Sequence, residues 1–112
     1  MAYDRRILLE EMDRLFFDNP NLRLKQLSEA LGAERHTIEA ILREERSLSF
    51  TDYRQEKLLN KALLLMSEAP ALSVKQIAVT LGYHPDSFSR FIRKHTAKSP
   101  SELRRELDRH TY

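Results

Sequence analysis

Leu24-Lys25-Gln26-Leu27, followed by Ala30-Leu31-Gly32, returns fifty residues later as Val74-Lys75-Gln76-Ile77 with Thr80-Leu81-Gly82. The register continues without a gap: Ile38 meets Phe88, Ile41 meets Phe91, Leu42 meets Ile92, Arg43 meets Arg93, Ser49 meets Ser99 and Arg54 meets Arg104. A period of this size marks a repeated supersecondary unit. Leu24, Leu27 and Leu31 lie at i, i+3 and i+7, one face of a short helix. Gly32 follows where a left-handed residue ends such a helix. A second helix is expected over about 34–45, with Ile38, Ile41 and Leu42 inward. The later unit repeats this with Val74, Ile77 and Leu81, then Gly82, then Phe88, Phe91 and Ile92 as core. Ser73 with Gln76 three residues on has capping-box spacing, and Pro85 suits a first helical turn. Helix, short Gly-bearing turn, helix is the pattern of helix-turn-helix DNA readers.

Working outward, residues 50–68 read as one long helix striped by Leu58, Leu59, Ala62, Leu65 and Met66, with Ser49 at its start and Pro70 beyond its end. A first helix is expected over about 3–17, with Leu8, Met12, Leu15 and Phe16 on one side, before the turn Asp18-Asn19-Pro20-Asn21. A last helix is expected over about 100–109, opened by Ser99, Pro100 and Glu102. The expected fold is therefore all-α: about seven helices, two helix-turn-helix units joined by a long central helix. The expected segments are 1–21 (helix and turn), 22–49 (first unit), 50–72 (linker helix) and 73–112 (second unit with the terminal helix).

Composition agrees. The 112 residues suit one domain or two very small ones. Two Gly and four Pro leave little material for hairpins. Without cysteine there is no disulfide, thiolate metal site or cysteine nucleophile, which is compatible with a reducing cytoplasm. No stretch approaches the ~18 apolar residues of a membrane span, and the polar start lacks a signal-peptide shape. The expected location is cytoplasmic. His36, His84, His95 and His110 have no metal-ligand spacing, and no catalytic constellation or phosphate-cradling Gly loop is visible. Neither metal, cofactor nor catalysis is expected.

Charge separates the halves. Residues 1–46 hold 8 Lys/Arg against 10 Asp/Glu, and residues 47–112 hold 11 against 7. The second half is the better candidate for meeting phosphate. Early residues of a recognition helix reach base edges, so Arg35, His36, Glu39 and Ala40 are candidates in the first unit, with Arg43 beyond them. Arg35 suits guanine, Glu39 the cytosine amino group, and Ala40 a thymine methyl. In the second unit the candidates are Ser87, Ser89, Arg90, Arg93 and Lys94, with Arg93 and Lys94 read as phosphate ligands. Ser73, Lys75, Ser99 and Ser101 stand at helix starts, where amides bind anions. Ordinary solvated helix faces and plain capping are the competing readings of all these residues. The acidic first unit also keeps open a helical protein-interaction module that has the fold without DNA affinity.

The stretches LKQLSEALG, SLSFTDYRQEKLLNKALLLM, SVKQIAVTLGY, SFSRFIRK and KSPSELRR resemble the DNA-binding domain of AraC-type transcription regulators. The resemblance covers residues 22–105. It implies two recognition helices in successive major grooves on one face of duplex DNA, promoter binding and contact with RNA polymerase. Two readers in one chain favour a monomer on DNA. Arg90 matches the Arg of the family's SFSR segment. Ser47 and Ala97 stand where family members usually have Gly, Arg23 replaces the small capping residue expected by analogy with Ser73, and the turn Tyr83–Ser87 looks one residue short. Many members carry a separate ligand-sensing region. None is visible here, so the chain reads either as a full-length protein or as a domain of a larger sensor protein.

Overall fold

The computed structural model describes residues 4–109, with the backbone alone at Arg109. Tyr3, expected to open the first helix, and His110 lie outside the described residues. The described residues form seven α-helices and no strand: α1 (Arg5–Asp18), α2 (Leu24–Leu31), α3 (Arg35–Arg46), α4 (Phe50–Glu68), α5 (Val74–Thr80), α6 (Pro85–Thr96) and α7 (Pro100–Arg109). The chain divides into two compact units, Met1–Lys57 and Leu58–Tyr112.

Helix ends are set by local chemistry. Asp4 opens α1 by accepting from the amides of Arg6 and Ile7 at 3.0 and 3.3 Å, satisfying first-turn donors that otherwise lack partners. Ser73 opens α5 with a complete capping box: its hydroxyl accepts from the Gln76 amide at 3.1 Å, and the Gln76 side chain accepts from the Ser73 amide at 2.7 Å. Ser49 and Ser99 accept in the same way from Asp52 and Glu102. Pro85 and Pro100 occupy first helical positions, where a missing N–H costs nothing. Gly32 and Gly82 sit at φ +65° and +82°. A Cβ at Gly32 would touch nothing within 4 Å, so backbone conformation alone selects glycine there.

The fifty-residue shift holds for most element boundaries. α2 and α5 start at Leu24 and Val74, α3 and α6 at Arg35 and Pro85, α4 and α7 at Phe50 and Pro100. α3 and α6 thus each begin three residues past a glycine, and the second turn keeps the register of the first. Ser47 and Ala97, directly after α3 and α6, are left-handed at φ 56° and 61°. The backbone therefore takes the glycine conformation with a non-glycine residue, at a cost of roughly 1–2 kcal/mol each.

The first unit packs Leu8, Leu9, Met12 and Phe16 of α1 against Leu27, Ala33, Ile38, Ile41, Leu42 and Tyr53. Phe16 meets the Tyr53 ring edge-on at 5.1 Å between centroids, a favoured aromatic geometry. The second unit packs Ala62 and Met66 of α4 against Ile77, Ala78, Leu81, Phe88, Ile92 and Leu103. Phe91, expected in the core, is instead half-buried at its edge, stacked on Tyr83 at 5.4 Å and tilted against His95 at 4.7 Å.

Candidate nucleic-acid interface

Burial of Ile38, Ile41 and Leu42 fixes the rotation of α3. Its opposite side presents Arg35, His36, Glu39 and Arg43, all exposed, with Ala40 half-buried. Residues three and four apart share a helix face, so Arg35, Glu39 and Arg43 run as one stripe with His36 and Ala40 beside it. Burial of Phe88 and Ile92 does the same for α6. Arg90, Arg93 and Lys94 are exposed there, with Ser87 and Ser89 half-buried. The structure joins two of these candidates directly: Arg90 Nη2 donates to Ser87 Oγ at 3.3 Å.

The four helix-start candidates divide. Ser73 and Ser99 use their hydroxyls as caps, and the Ser99 hydroxyl also donates to Glu102. Lys75 and Ser101 are exposed. Each pair stands on its own helix start, Ser73 and Lys75 at α5, Ser99 and Ser101 at α7.

The acidic character of α3 is redistributed. Glu44 pairs with Arg5 of α1, and Glu45 lies 3.6 Å from the same guanidinium. Glu34 precedes the helix and lies 3.2 Å from His36 Nε2. Glu39 is thus the α3 glutamate that shares the outward stripe with Arg35 and Arg43. Helix position alone does not reveal that Arg5 meets two of these glutamates.

Sequence reasoning also missed a polar cluster behind α3. Asp13 accepts from both terminal nitrogens of Arg46, at 2.9 and 2.7 Å, and from Tyr53 Oη at 2.7 Å. Lys57 Nζ lies 3.0 Å away. Burial alone would push the Asp13 carboxyl up, but the hydrogen bonds from Arg46, Tyr53 and Lys57 outweigh it and hold the group well below the usual carboxylate range. Burial, reinforced by the hydrogen bond to that carboxylate, pushes the Tyr53 phenol well above its ordinary value. The cluster ties α1 to the end of α3 and the start of α4, and so fixes the back of α3.

A second overlooked feature is a groove lined by Arg23, Phe50, Thr51 and Arg54. The repeat pairs Arg54 with Arg104, yet the two differ in use. Arg104 donates to the carbonyl oxygens of Ala69 and Leu72 in the α4–α5 turn. Arg54 donates to the Asn21 side chain at 3.2 Å, and its buried Nε has no hydrogen-bond partner among the described residues.

Among the described residues no three His, Asp or Glu side chains group as metal ligands, and no helix is long and apolar enough to cross a membrane.

Comparison with known proteins places this geometry. The family model described as a helix-turn-helix domain matches residues 27–106. The Msm operon regulatory protein of Streptococcus mutans is 27% identical over 88 residues, which are 78% of this chain and 31% of that protein. The chain therefore spans about a third of the length of this curated relative. A DNA-binding transcriptional dual regulator from Escherichia coli K-12 superposes with a TM-score of 0.76 at 21% identity, covering 97% of this chain and 96% of that one. The C-terminal domain of AraT, a response regulator from Geobacillus stearothermophilus, superposes at 0.74 with 23% identity, covering 94% and 86%. At such identities the superpositions establish the fold. With the family match over most of its length and the seven-helix double-unit fold, the chain belongs to the AraC-type helix-turn-helix family, made up of DNA-binding domains of transcription regulators and not of enzymes.

Proposed function

We propose that this chain regulates transcription by placing α3 and α6 in successive major grooves of promoter DNA, as a monomer on one asymmetric site. The observation that carries this reading is the paired outward face. His36, Glu39, Ala40 and Arg43 of α3 correspond, fifty residues on, to Asp86, Ser89, Arg90 and Arg93 of α6. Both sets are polar surfaces on short helices whose other side is committed to a core. Two readers in one chain supply what other helix-turn-helix proteins obtain by dimerising. In functional terms the chain divides into 1–21, 22–49, 50–72 and 73–112, with RNA polymerase as a further partner on the promoter. A sensor region carried elsewhere on a longer chain is consistent with the length of the S. mutans relative.

Charge ranks the two readers. α6 presents Arg90, Arg93 and Lys94 against Asp86, whereas the outward stripe of α3 sets Arg35 and Arg43 against Glu39. The second unit dominates affinity. The test is binding of the chain to duplexes selected from a random pool, at two salt concentrations. Arg90→Ala with Arg93→Ala will flatten the log–log salt slope by about 0.9 for each phosphate no longer neutralised, and Glu39→Gln will raise non-specific affinity. If Glu39→Gln cripples specific binding while the double Arg variant is silent, α3 is the principal reader. If the wild-type chain shows no salt-dependent binding, the domain is a protein-interaction module.

A further inference from the structure

We propose that Asp13 is a positioning residue for DNA recognition: with Arg46, Tyr53 and Lys57 it locks α3 in one orientation, and so sets how sharply the first unit discriminates between base sequences. The inference rests on the DNA-binding reading above and adds to it residues that lie behind α3, off its outward stripe. Asp13 stands on α1, Arg46 ends α3, and Tyr53 and Lys57 belong to α4. One carboxylate holds all three partners. It accepts from both terminal nitrogens of Arg46 at 2.9 and 2.7 Å and from Tyr53 Oη at 2.7 Å, with Lys57 Nζ 3.0 Å away. The Arg46 guanidinium and the Lys57 ammonium also lie 5.8 and 5.3 Å from the centre of the Tyr53 ring, within cation–π reach. A forked guanidinium–carboxylate pair is attached at two points, so it fixes rotation as well as distance.

The other unit supplies the comparison. The fifty-residue shift carries α1 onto the later part of α4, and the start of α4 onto α7. Leu8, Met12 and Phe16 then meet Leu58, Ala62 and Met66, all of them buried. The same shift carries Asp13, Arg46, Tyr53 and Lys57 onto Leu63, Thr96, Leu103 and Leu107. These leucines join the second core, and the Thr96 hydroxyl donates to the Ile92 carbonyl of its own helix at 2.7 Å. The fold therefore does not require charge at this corner. Apolar attraction is non-directional, whereas hydrogen bonds weaken steeply as they leave their line. The directional joint stands behind the reader that needs it. The stripe of α3, with Glu39 between Arg35 and Arg43, has less charge to offer phosphate than α6 and relies more on base-edge hydrogen bonds, which are equally directional. Charge attraction at α6 falls off only slowly with distance, so an apolar joint suffices there.

The test gives the first unit the corner that the second already uses: Asp13→Leu, Arg46→Thr, Tyr53→Leu and Lys57→Leu together, in the full chain. Exchanging a whole ionic cluster for apolar side chains is often neutral or stabilising, and thermal melting checks that the variant folds. If it does not melt cooperatively, Asp13→Asn, which keeps the shape and removes the charge, is read in the same way. On a duplex selected from a random pool by the wild type, the penalty for base substitutions facing α3 will fall by roughly fivefold or more, the worth of one base contact. The penalty for substitutions facing α6 will not change. The log–log salt slope will also stay the same, because the two cations removed are already paired; a slope flatter by about 0.9 for each would mean that they neutralise phosphate directly and would overturn the positioning role. In the free variant, amide residual dipolar couplings will show α3 displaced or averaged relative to α2, with α6 unchanged relative to α5. Unchanged α3 couplings overturn the claim that the cluster orients the helix. Altered couplings with undiminished discrimination at α3 overturn its link to recognition. A wild-type chain that binds no duplex refutes the DNA-binding reading, and the couplings then decide by themselves whether the cluster orients α3.

Discussion

Replacing Asp13 by Ala removes the carboxylate that joins Arg46, Tyr53 and Lys57, and will cost the first unit about 2–4 kcal/mol. Two losses make up that figure. The Tyr53 residue is fully buried, so its hydroxyl loses its partner where water cannot replace it, worth about 1–3 kcal/mol. The ionic part is intermediate. The side chains of Asp13, Arg46 and Lys57 are 33%, 31% and 20% exposed, between surface pairs worth up to about 1 kcal/mol and buried pairs whose breakage costs about 3–5 kcal/mol. Solvent screening places it near the lower bound, about 1 kcal/mol. At about 4–8 °C per kcal/mol for a unit of this size, Tm will fall by roughly 8–32 °C in circular-dichroism melts at pH 7. A fall of under about 2 °C would refute the claim that this cluster secures α1 to α3 and α4.

The same cluster fixes the sign of an acid dependence. The Asp13 carboxyl lies below its ordinary range in the folded protein, so the unfolded chain takes up this proton first as pH falls. Its contribution is therefore complete above the unfolded value of about 3.9 and is lost progressively as pH drops below that, towards the depressed folded value. Stability curves of wild type and Asp13→Asn will converge between about pH 4 and pH 2. Parallel curves across that window would mean the carboxylate is not held by its partners.

Two further perturbations address the fold. Ser47→Gly and Ala97→Gly will each raise stability by about 0.5–1 kcal/mol, because relief of a left-handed non-glycine residue exceeds glycine's added freedom in the unfolded chain; denaturant midpoints measure this. Phe88→Ala will cost about 3–5 kcal/mol, whereas Phe91→Ala, at the half-buried rim against Tyr83 and His95, will cost less by about 1 kcal/mol or more, and equal losses in urea melts would place Phe91 back in the core.

The repeat made most of the fold legible. Ser73, Ser99, Pro85, Pro100 and Gly32 act within a few residues of themselves, so their positions mark helix ends without tertiary information. Leu24 and Val74, or Ile38 and Phe88, reveal the shared core because helical period and burial coincide. What stayed hidden depends on pairs distant in sequence. Asp13 meets Arg46 and Tyr53 across 33 and 40 residues, and in sequence it resembles any charge on an amphipathic helix. Glu44 and Glu45 resemble acids facing phosphate because Arg5 is remote in sequence. Phe91 has correct core spacing, but position 91 sits on the edge of the buried stripe. Arg23 is visible in sequence as a missing cap; its groove emerges only from the different partners of Arg54 and Arg104, which are equal in the repeat.

These placements explain how two copies of one unit can divide the work of binding. In the first unit Arg5, Arg46 and Lys57 are paired with Glu44, Glu45 and Asp13, so they add little attraction for phosphate. The outward stripe of α3 keeps a net charge of +1, with Glu39 between Arg35 and Arg43, against +2 on the face of α6. On the reading proposed above, the less charged face gains less from phosphate in general and depends more on base-edge complementarity. In the second unit the order is reversed. Arg104 is committed to the α4–α5 turn, Ser73 closes α5, and the cations stand on α6 itself. On that reading the same fold leans on discrimination in one copy and combines attraction with discrimination in the other. Arg93→Ala with Lys94→Ala on α6 will accordingly lower the log–log salt slope of binding, whereas a base substitution in the half-site facing α3 will cost affinity with little change of slope, because counterion release follows the number of phosphates neutralised and not the number of bases read.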